Sequence, residues 1–545
     1  MYIRFKVIIS LTALFLLPSC REEEKVLVTS KNELYVFLDT LEKRYENAYS
    51  SVQRALMYQS GLTDSSVTDS GWSEAARLFL DTSVYHTITE WYNRAGSLAD
   101  EELERRLELW YRVCLGGKIF FDPEINSLRH KLYKSYNENL SKGRLPLPSL
   151  LSARLRKEKS PVRRKEIYNR FCLQQANLIP DYIHLVKLHN EKVRELGFPN
   201  YYSFMLYLEA IDELWLLQTI KNLEKHSRAT YYAMLDVVKK KYRTAKPAPW
   251  DIDAIYGIPP ELSHRYFPAD SLLANLRQFT ASIGAPIDSL SIRLIDKRGF
   301  AASRCFVISS PDDIRLVVGN RSGMEAYREC LHAFGEAFRA VTIEVQYPIL
   351  KGYLFIPGAV SASFHDGVTR TFQEFLDDSL RLADIHSIRE TDLQDYISRR
   401  SMADLYSIRS LIREFFMEYE LYKDPDQNLD TLASVTYREY LSDSSLGNVQ
   451  LRFTPSLQHI NFNGSFHIAI MCDIISAQLY EALMNKFGAD SAYMPEVAAW
   501  LINTLHRGGE LQEWDERIKV ATGKSVEPGA FLRKLRIEHT NILKQ

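Results

Sequence analysis

Residues 324–338 read MEAYRECLHAFGEAF. Apolar residues recur at spacings of three and four throughout 322–343, which predicts an amphipathic helix. His332 and Glu336 are four residues apart, so this helix places both side chains on one face. Taken alone, this pattern favours a structural role, with His332 a core histidine and Glu336 paired with a neighbouring arginine.

The rest of the chain also has mainly helical periodicity. Apolar residues keep helical spacing over 33–57, 74–115, 162–196, 203–243, 269–284, 396–422 and 466–487. One island differs, since short β-branched runs at 292–295, 305–308 and 314–318 are separated by turn residues. They predict a small antiparallel β meander at about 290–318 that leads into the 322–343 helix. The predicted fold class is therefore mainly α with one small sheet.

Composition and charge exclude several classes of protein. The chain has 545 residues, of which 46% are hydrophobic and 25% charged, as in ordinary globular proteins. Lys and Arg number 68 against 69 for Asp and Glu, giving a formal net charge of -1. A chain without a strong positive field is not expected to bind nucleic acid.

The first twenty residues predict export. Arg4 and Lys6 precede an apolar run over 7–17 that is too short to span a bilayer and suits a secretory signal. The run ends at Leu17-Pro18-Ser19-Cys20, which resembles the bacterial lipobox. We expect 1–20 to be a lipoprotein signal, Cys20 to carry the lipid, and 21–30 to be a tether. The expected location is the periplasmic or cell-surface side of a bacterial membrane; a plain signal peptide is the alternative.

The HAFGE sequence of 332–336 resembles a degenerate form of the HExxH helix of gluzincin metallopeptidases. In the intact motif two histidines bind zinc and the glutamate activates the bound water. The resemblance implies that His332 is the first metal ligand and that Glu336 occupies the place of the second. Ala333 stands where the general base would be.

Two further stretches resemble the angiotensin-converting-enzyme-like and thimet-oligopeptidase-like families. Phe364-His365-Asp366-Gly367-Val368 is similar to the segment that supplies the third ligand, which implies Asp366; another register implies Glu374. Asp366 could equally be a carboxylate favoured near a helix N-terminus. His459 lies in a segment similar to the substrate-binding loop. Phe466 stands where a tyrosine would bind substrate, and Ala469 where the transition-state tyrosine would be.

This resemblance implies an elongated, two-lobed, neurolysin-like helical clamshell, with the β meander beside its cleft. We expect an N-terminal helical lobe over 31–160 and a peptidase-like region over 161–545. Zinc is implied as the cofactor wherever the degenerate ligands still bind metal.

Three functions follow as hypotheses. The first is a lipid-anchored pseudopeptidase that binds peptides or a protein partner and needs no cofactor. The second is an active metal-dependent oligopeptidase or dipeptidyl carboxypeptidase with a relocated base, and the third is a structural or assembly lipoprotein. The absence of a carboxylate at Ala333 favours the first, since a lost general base lowers the rate by a factor of roughly 100 to 10,000.

Overall fold

The computed structural model describes residues 28–62, 70–142, 148–296, 300, 302–377, 387–442, 450–488 and 494–542. The predicted signal peptide and Cys20 lie outside these ranges. Most described residues are helical, in agreement with the predicted class. The helices are α1 Lys31–Gln59, α2 Ser70–Leu80, α3 Thr82–Tyr92, α4 Glu101–Phe120, α5 Pro123–Lys142, α6 Pro148–Lys157, α7 Pro161–Gln174, α8 Ile179–Glu195, α9 Tyr201–Leu208, α10 Glu213–Tyr242, α11 Pro249–Tyr256, α12 Leu272–Ser282, α13 Met324–Val341, α14 Ala362–Asp377, α15 Glu390–Lys423, α16 Leu429–Tyr440, α17 Leu457–Asn461, α18 Phe466–Phe487, α19 Glu496–Leu501, α20 Trp514–Thr522 and α21 Gly529–Ile542.

The small sheet is confirmed. It has three strands, β1 Ile292–Asp296, β2 Arg304–Ser309 and β3 Asp313–Val318, in the order β1-β3-β2. Its pairing is mixed rather than wholly antiparallel, because β2 and β3 form an antiparallel hairpin and β1 joins the edge of β3 that the hairpin leaves open. There β1 runs parallel to β3, with Ile292 opposite Ile314.

Long stretches of helical periodicity are divided by acidic caps. The side chain of Asp81 accepts from Ser83 and Val84 at the start of α3, and Asp100 accepts from Leu103 at the start of α4. Each cap satisfies backbone N–H groups that have no partner inside the helix. The helical periodicity over 74–115 is therefore divided among three helices.

Core residues fall mainly into two clusters. One is built by α1 to α4 together with residues 349–359, and the other extends from α4 and α5 through α13, α14 and α18 to α21. Within the described residues, α18 is the one helix whose length and composition would allow it to cross a membrane. The most apolar 18 residues of that helix are 72% buried inside the protein, as is typical of a core helix.

Two glycines let α13, α14 and α18 pack closely. A Cβ added at Gly335 of α13 would lie 2.7 Å from Cδ2 of Phe372 on α14. One added at Gly367 of α14 would lie 2.7 Å from Cγ2 of Ile475 on α18. The approach at Gly335 places the face of α13 that carries His332 against the middle of α14.

Candidate functional site

The helix α13 brings His332 and Glu336 together as the sequence predicts. Nε2 of His332 lies 3.4 Å from Oε1 of Glu336, and the two side chains are 13% and 20% exposed. Nε2 of His332 is buried and makes no hydrogen bond within the described part of the chain. The pair is therefore an electrostatic contact in a largely enclosed position.

The neighbouring helix α14 adds Asp366, which is 14% exposed, in its second turn. Burial by itself lowers the pKa of His332, but the carboxylates of Glu336 and Asp366 outweigh burial and raise the pKa. Asp366 also lies beside His365, whose Nδ1 is 3.4 Å from Oδ1 of Asp366. The structure thus brings His332, Glu336 and Asp366 into one electrostatic neighbourhood.

A basic side chain lies at the same place. Arg370, one turn beyond Asp366, pairs with Asp473 of α18 at 2.7 Å, and its charge opposes protonation of His332. Sequence reasoning missed both residues. A pairing between residues about a hundred positions apart leaves no local signal in the sequence. The one available signal is the spacing of four between Asp366 and Arg370, which places both on the same face of α14.

Glu209, directly after α9, accepts hydrogen bonds from residues at the start of α14. Its buried carboxylate accepts from the hydroxyls of Ser361 and Ser363 at 2.9 and 2.8 Å. It also accepts from the backbone N–H of Ala362 at 3.2 Å and of Ser363 at 3.1 Å. A negative charge is favoured at a helix N-terminus, and here Glu209 supplies it, while Asp366 lies one turn further on. Sequence reasoning missed this residue as well.

The substitution Glu209→Gln is expected to lower the free energy of unfolding by about 1–3 kcal/mol, because it weakens charge-assisted hydrogen bonds and turns an amide N–H₂ toward donors. Urea denaturation measures the change. Glu195→Gln, on an exposed side chain of α8, is the control and should stay within about 0.5 kcal/mol of the unmodified protein. Equal stability of the two variants would contradict the capping role.

Ala333, at the place of the general base, is 2% exposed and belongs to the main hydrophobic cluster. Its neighbours in sequence, Leu331 and Phe334, belong to the same cluster. Position 333 therefore faces the core, whereas His332 lies near Asp366 and Arg370 of α14.

Glu374, the alternative third ligand, is held elsewhere. Its Oε2 lies 2.5 Å from Nζ of Lys534 on α21, and its Oε1 accepts from the hydroxyl of Ser476 at 3.3 Å. Although burial raises the pKa of Glu374, Lys534, with Arg370 and Arg328, lowers it overall. The carboxylate is thus committed to a buried ion pair that joins α14 to the C-terminal helix.

His459 and Phe466 lie together, apart from the contacts of His332. The ring centroids of His459 and Phe466 are 4.9 Å apart. Nδ1 of His459 lies 2.7 Å from the hydroxyl oxygen of Ser456. His459 is 3% exposed, and burial lowers its pKa to about 4. Ala469 packs at the edge of the main cluster. In this structure His459 is a neutral histidine in an aromatic surrounding.

In this structure the donor set lacks the convergence that a zinc centre needs. Such a centre needs at least three protein ligands within about 2.0–2.3 Å of one point. Nε2 of His332 is buried without a hydrogen-bond partner among the described residues, so it could bind a metal. In the described ranges, however, no three His, Cys, Asp or Glu side chains converge on a common point. The charge of Arg370 nearby further disfavours a dication.

Comparisons with known proteins place this fold. No protein-family model matches the chain, and no curated protein matches it in sequence. Among solved structures it is similar to the M32 carboxypeptidase of Deinococcus radiodurans R1, with a TM-score of 0.59 and 14% identity over 94% of this chain and 99% of that chain. It is also similar to Pyrococcus furiosus carboxypeptidase (TM-score 0.58, 12% identity, 92% and 98% covered) and to Trypanosoma cruzi metallocarboxypeptidase 1 (0.57, 15%, 92% and 98%).

These likenesses correct the resemblance drawn from the sequence. The assignment to the angiotensin-converting-enzyme-like and thimet-oligopeptidase-like families is wrong, since the structural neighbours are M32 metallocarboxypeptidases. Short motifs around one histidine and one acid do not distinguish metallopeptidases of related helical design, whereas the path of the whole chain does. The chain has the fold of a metallocarboxypeptidase, a class for which a metal cofactor is plausible.

Proposed function

We propose that this chain is an exported, lipid-anchored protein with a metallocarboxypeptidase-like fold that binds peptides or a protein partner without hydrolysing them. The observation that carries the proposal is Ala333, which leaves the general-base position without a carboxylate and faces the core. The contact of His332 with Glu336, and the charge of Arg370 beside it, support the absence of a resident metal. The lipobox at Cys20 supports anchoring at the outer side of a bacterial membrane.

The first test is metal content. The chain is purified without its signal and lipid, incubated with zinc, passed through a desalting column and measured by elemental analysis. We expect well below one metal per chain and no cleavage of a peptide library. His332→Ala and Asp366→Ala are the matched variants. Near-stoichiometric zinc that is lost in both variants, together with cleavage by the unmodified protein, would overturn the proposal and favour a peptidase with a relocated base.

A second candidate function is a structural or assembly role. It is favoured by one observation, that the candidate site is largely filled by its own side chains, with His332, Glu336 and Asp366 only 13%, 20% and 14% exposed. Fluorescence anisotropy with a library of labelled peptides separates the two candidates. Saturable binding that His332→Ala or Asp366→Ala weakens supports peptide binding, and lack of binding across the library supports the structural role.

A further inference from the structure

A small, partly open cavity lies away from the candidate site, among the helices α4, α5, α8 and α9. It has a volume of about 20 Å³, slightly more than the roughly 10–15 Å³ that one water molecule needs. Most of its walls are apolar. Its chemically active lining residues are Arg129 of α5, His189 of α8 and Tyr201 of α9.

Arg129 brings a positive charge to this cavity without an acidic partner. Its Nη2 reaches the carbonyl of Phe120 at 3.4 Å and the amide oxygen of Asn126. In the parts of the chain that the structure describes, Arg129 forms no ion pair with a carboxylate. Burial lowers the pKa of Arg129, yet a guanidinium stays charged in proteins. Cζ of Arg129 also lies 5.4 Å from the centroid of the Phe120 ring. Two neutral oxygens and an aromatic ring leave this partly buried cation electrostatically incomplete.

His189 adds a second donor. Its Nδ1 lies 3.3 Å from the hydroxyl of Tyr422, and its ring stacks on Tyr201 with centroids 4.2 Å apart. The buried hydroxyl of Tyr422 has no other acceptor among the described residues, so it donates to Nδ1 and the ring proton is on Nε2. Burial, and then the charge of Arg129, lowers the pKa of His189 to about 3. The histidine is therefore neutral, with an N–H available as a donor.

We infer that this cavity binds one monatomic anion of the size of chloride, held by the guanidinium of Arg129 with Nε2–H of His189 as a second donor. A water molecule fits the volume but leaves the charge of Arg129 uncompensated. The small volume favours a single-atom anion over nitrate, carboxylates or phosphate. The anion would join α4 and α5 to α8 and α9, so its main effect would be on the stability of this junction.

The test is thermal unfolding of the whole mature chain as sodium gluconate is replaced by sodium chloride or bromide at constant ionic strength. We expect a saturable rise of the melting temperature by a few degrees with either halide. The variant Arg129→Gln should lose this dependence. Lys134→Gln removes one charge from an exposed position of the same helix and should keep it. Equal curves in gluconate and halide, or the same halide response in Arg129→Gln, would overturn the inference.

Crystals soaked in sodium bromide give a readout that does not depend on the variant folding. An anomalous peak beside Arg129 and His189 is the expected result. A cavity that contains only water, or a site that nitrate or acetate stabilises as well as chloride does, would contradict a monatomic anion site.

Discussion

Ala333→Glu is expected to lower the free energy of unfolding by about 3 kcal/mol or more and to produce no peptidase activity, alone or combined with Glu336→His. The combined variant restores the letters of the HExxH motif, so activity would be expected if this motif alone decided it. The structure leads to the opposite expectation, because position 333 is 2% exposed within the main hydrophobic cluster. A carboxylate placed there without a partner is strongly disfavoured, and its volume overpacks the core.

Two further variants serve as controls, the first for charge against size at position 333 and the second for the substitution at position 336. Ala333→Gln adds nearly the same volume without a charge, so it should recover part of the loss. Glu336→His replaces a side chain that is 20% exposed and should change the free energy of unfolding by no more than about 1 kcal/mol.

The dependence on pH gives a further check. The pKa of the introduced carboxyl group is raised by burial, so its cost is absent at acidic pH and grows as the pH rises through that pKa. Urea denaturation at several pH values measures this. Unchanged stability of Ala333→Glu, or zinc-dependent hydrolysis by the combined variant, would contradict the inward orientation of position 333.

Much of the architecture could be predicted from the sequence because its signals are local. The periodicity of 322–343 and 466–487 and the β-branched runs at 292–318 each depend on neighbouring residues, and the corresponding elements are present. Helix ends were harder, since Asp81 and Asp100 interrupt a continuous apolar period by capping. The pairing of β1 with β3 was also not accessible, because it depends on which edge the later hairpin leaves open.

For the candidate site, the same distinction holds. The proximity of His332 and Glu336 follows from their spacing on one helix. Glu209 acts on Ser361 and Ser363 across about 150 residues of chain, and Arg370 meets Asp473 on another helix. Such pairings are set by tertiary packing and leave no pattern in the sequence. The family was misassigned for a related reason, since the deciding information is in the whole chain path.

The substitution Lys534→Met is expected to lower the free energy of unfolding at neutral pH by about 3 kcal/mol or more. It leaves Glu374, whose side chain is 7% exposed, without its cation at the contact of α14 and α21. Removing one member of a buried pair is costly because the remaining charge is uncompensated, whereas removing both is often nearly neutral. The double variant Glu374→Gln/Lys534→Met should therefore regain most of the lost stability. Lys524→Met, in an ion pair whose side chains are 41% and 48% exposed, is the control and should lose at most about 1 kcal/mol.

The pH profile of these variants tests the same ion pair. In the unmodified protein the pKa of Glu374 is lowered, so the pair contributes stability above the unfolded pKa and loses it as the pH falls through the folded pKa. In Lys534→Met only Arg370 and Arg328 still oppose burial. The pKa of Glu374 is therefore higher than in the unmodified protein, so the deficit should shrink on acidification. Urea denaturation between about pH 4 and 8 shows whether the unmodified protein loses stability on acidification while the deficit of Lys534→Met shrinks. If Lys534→Met matches the unmodified protein across this range, the stability of the contact between α14 and α21 does not depend on the pair of Glu374 and Lys534.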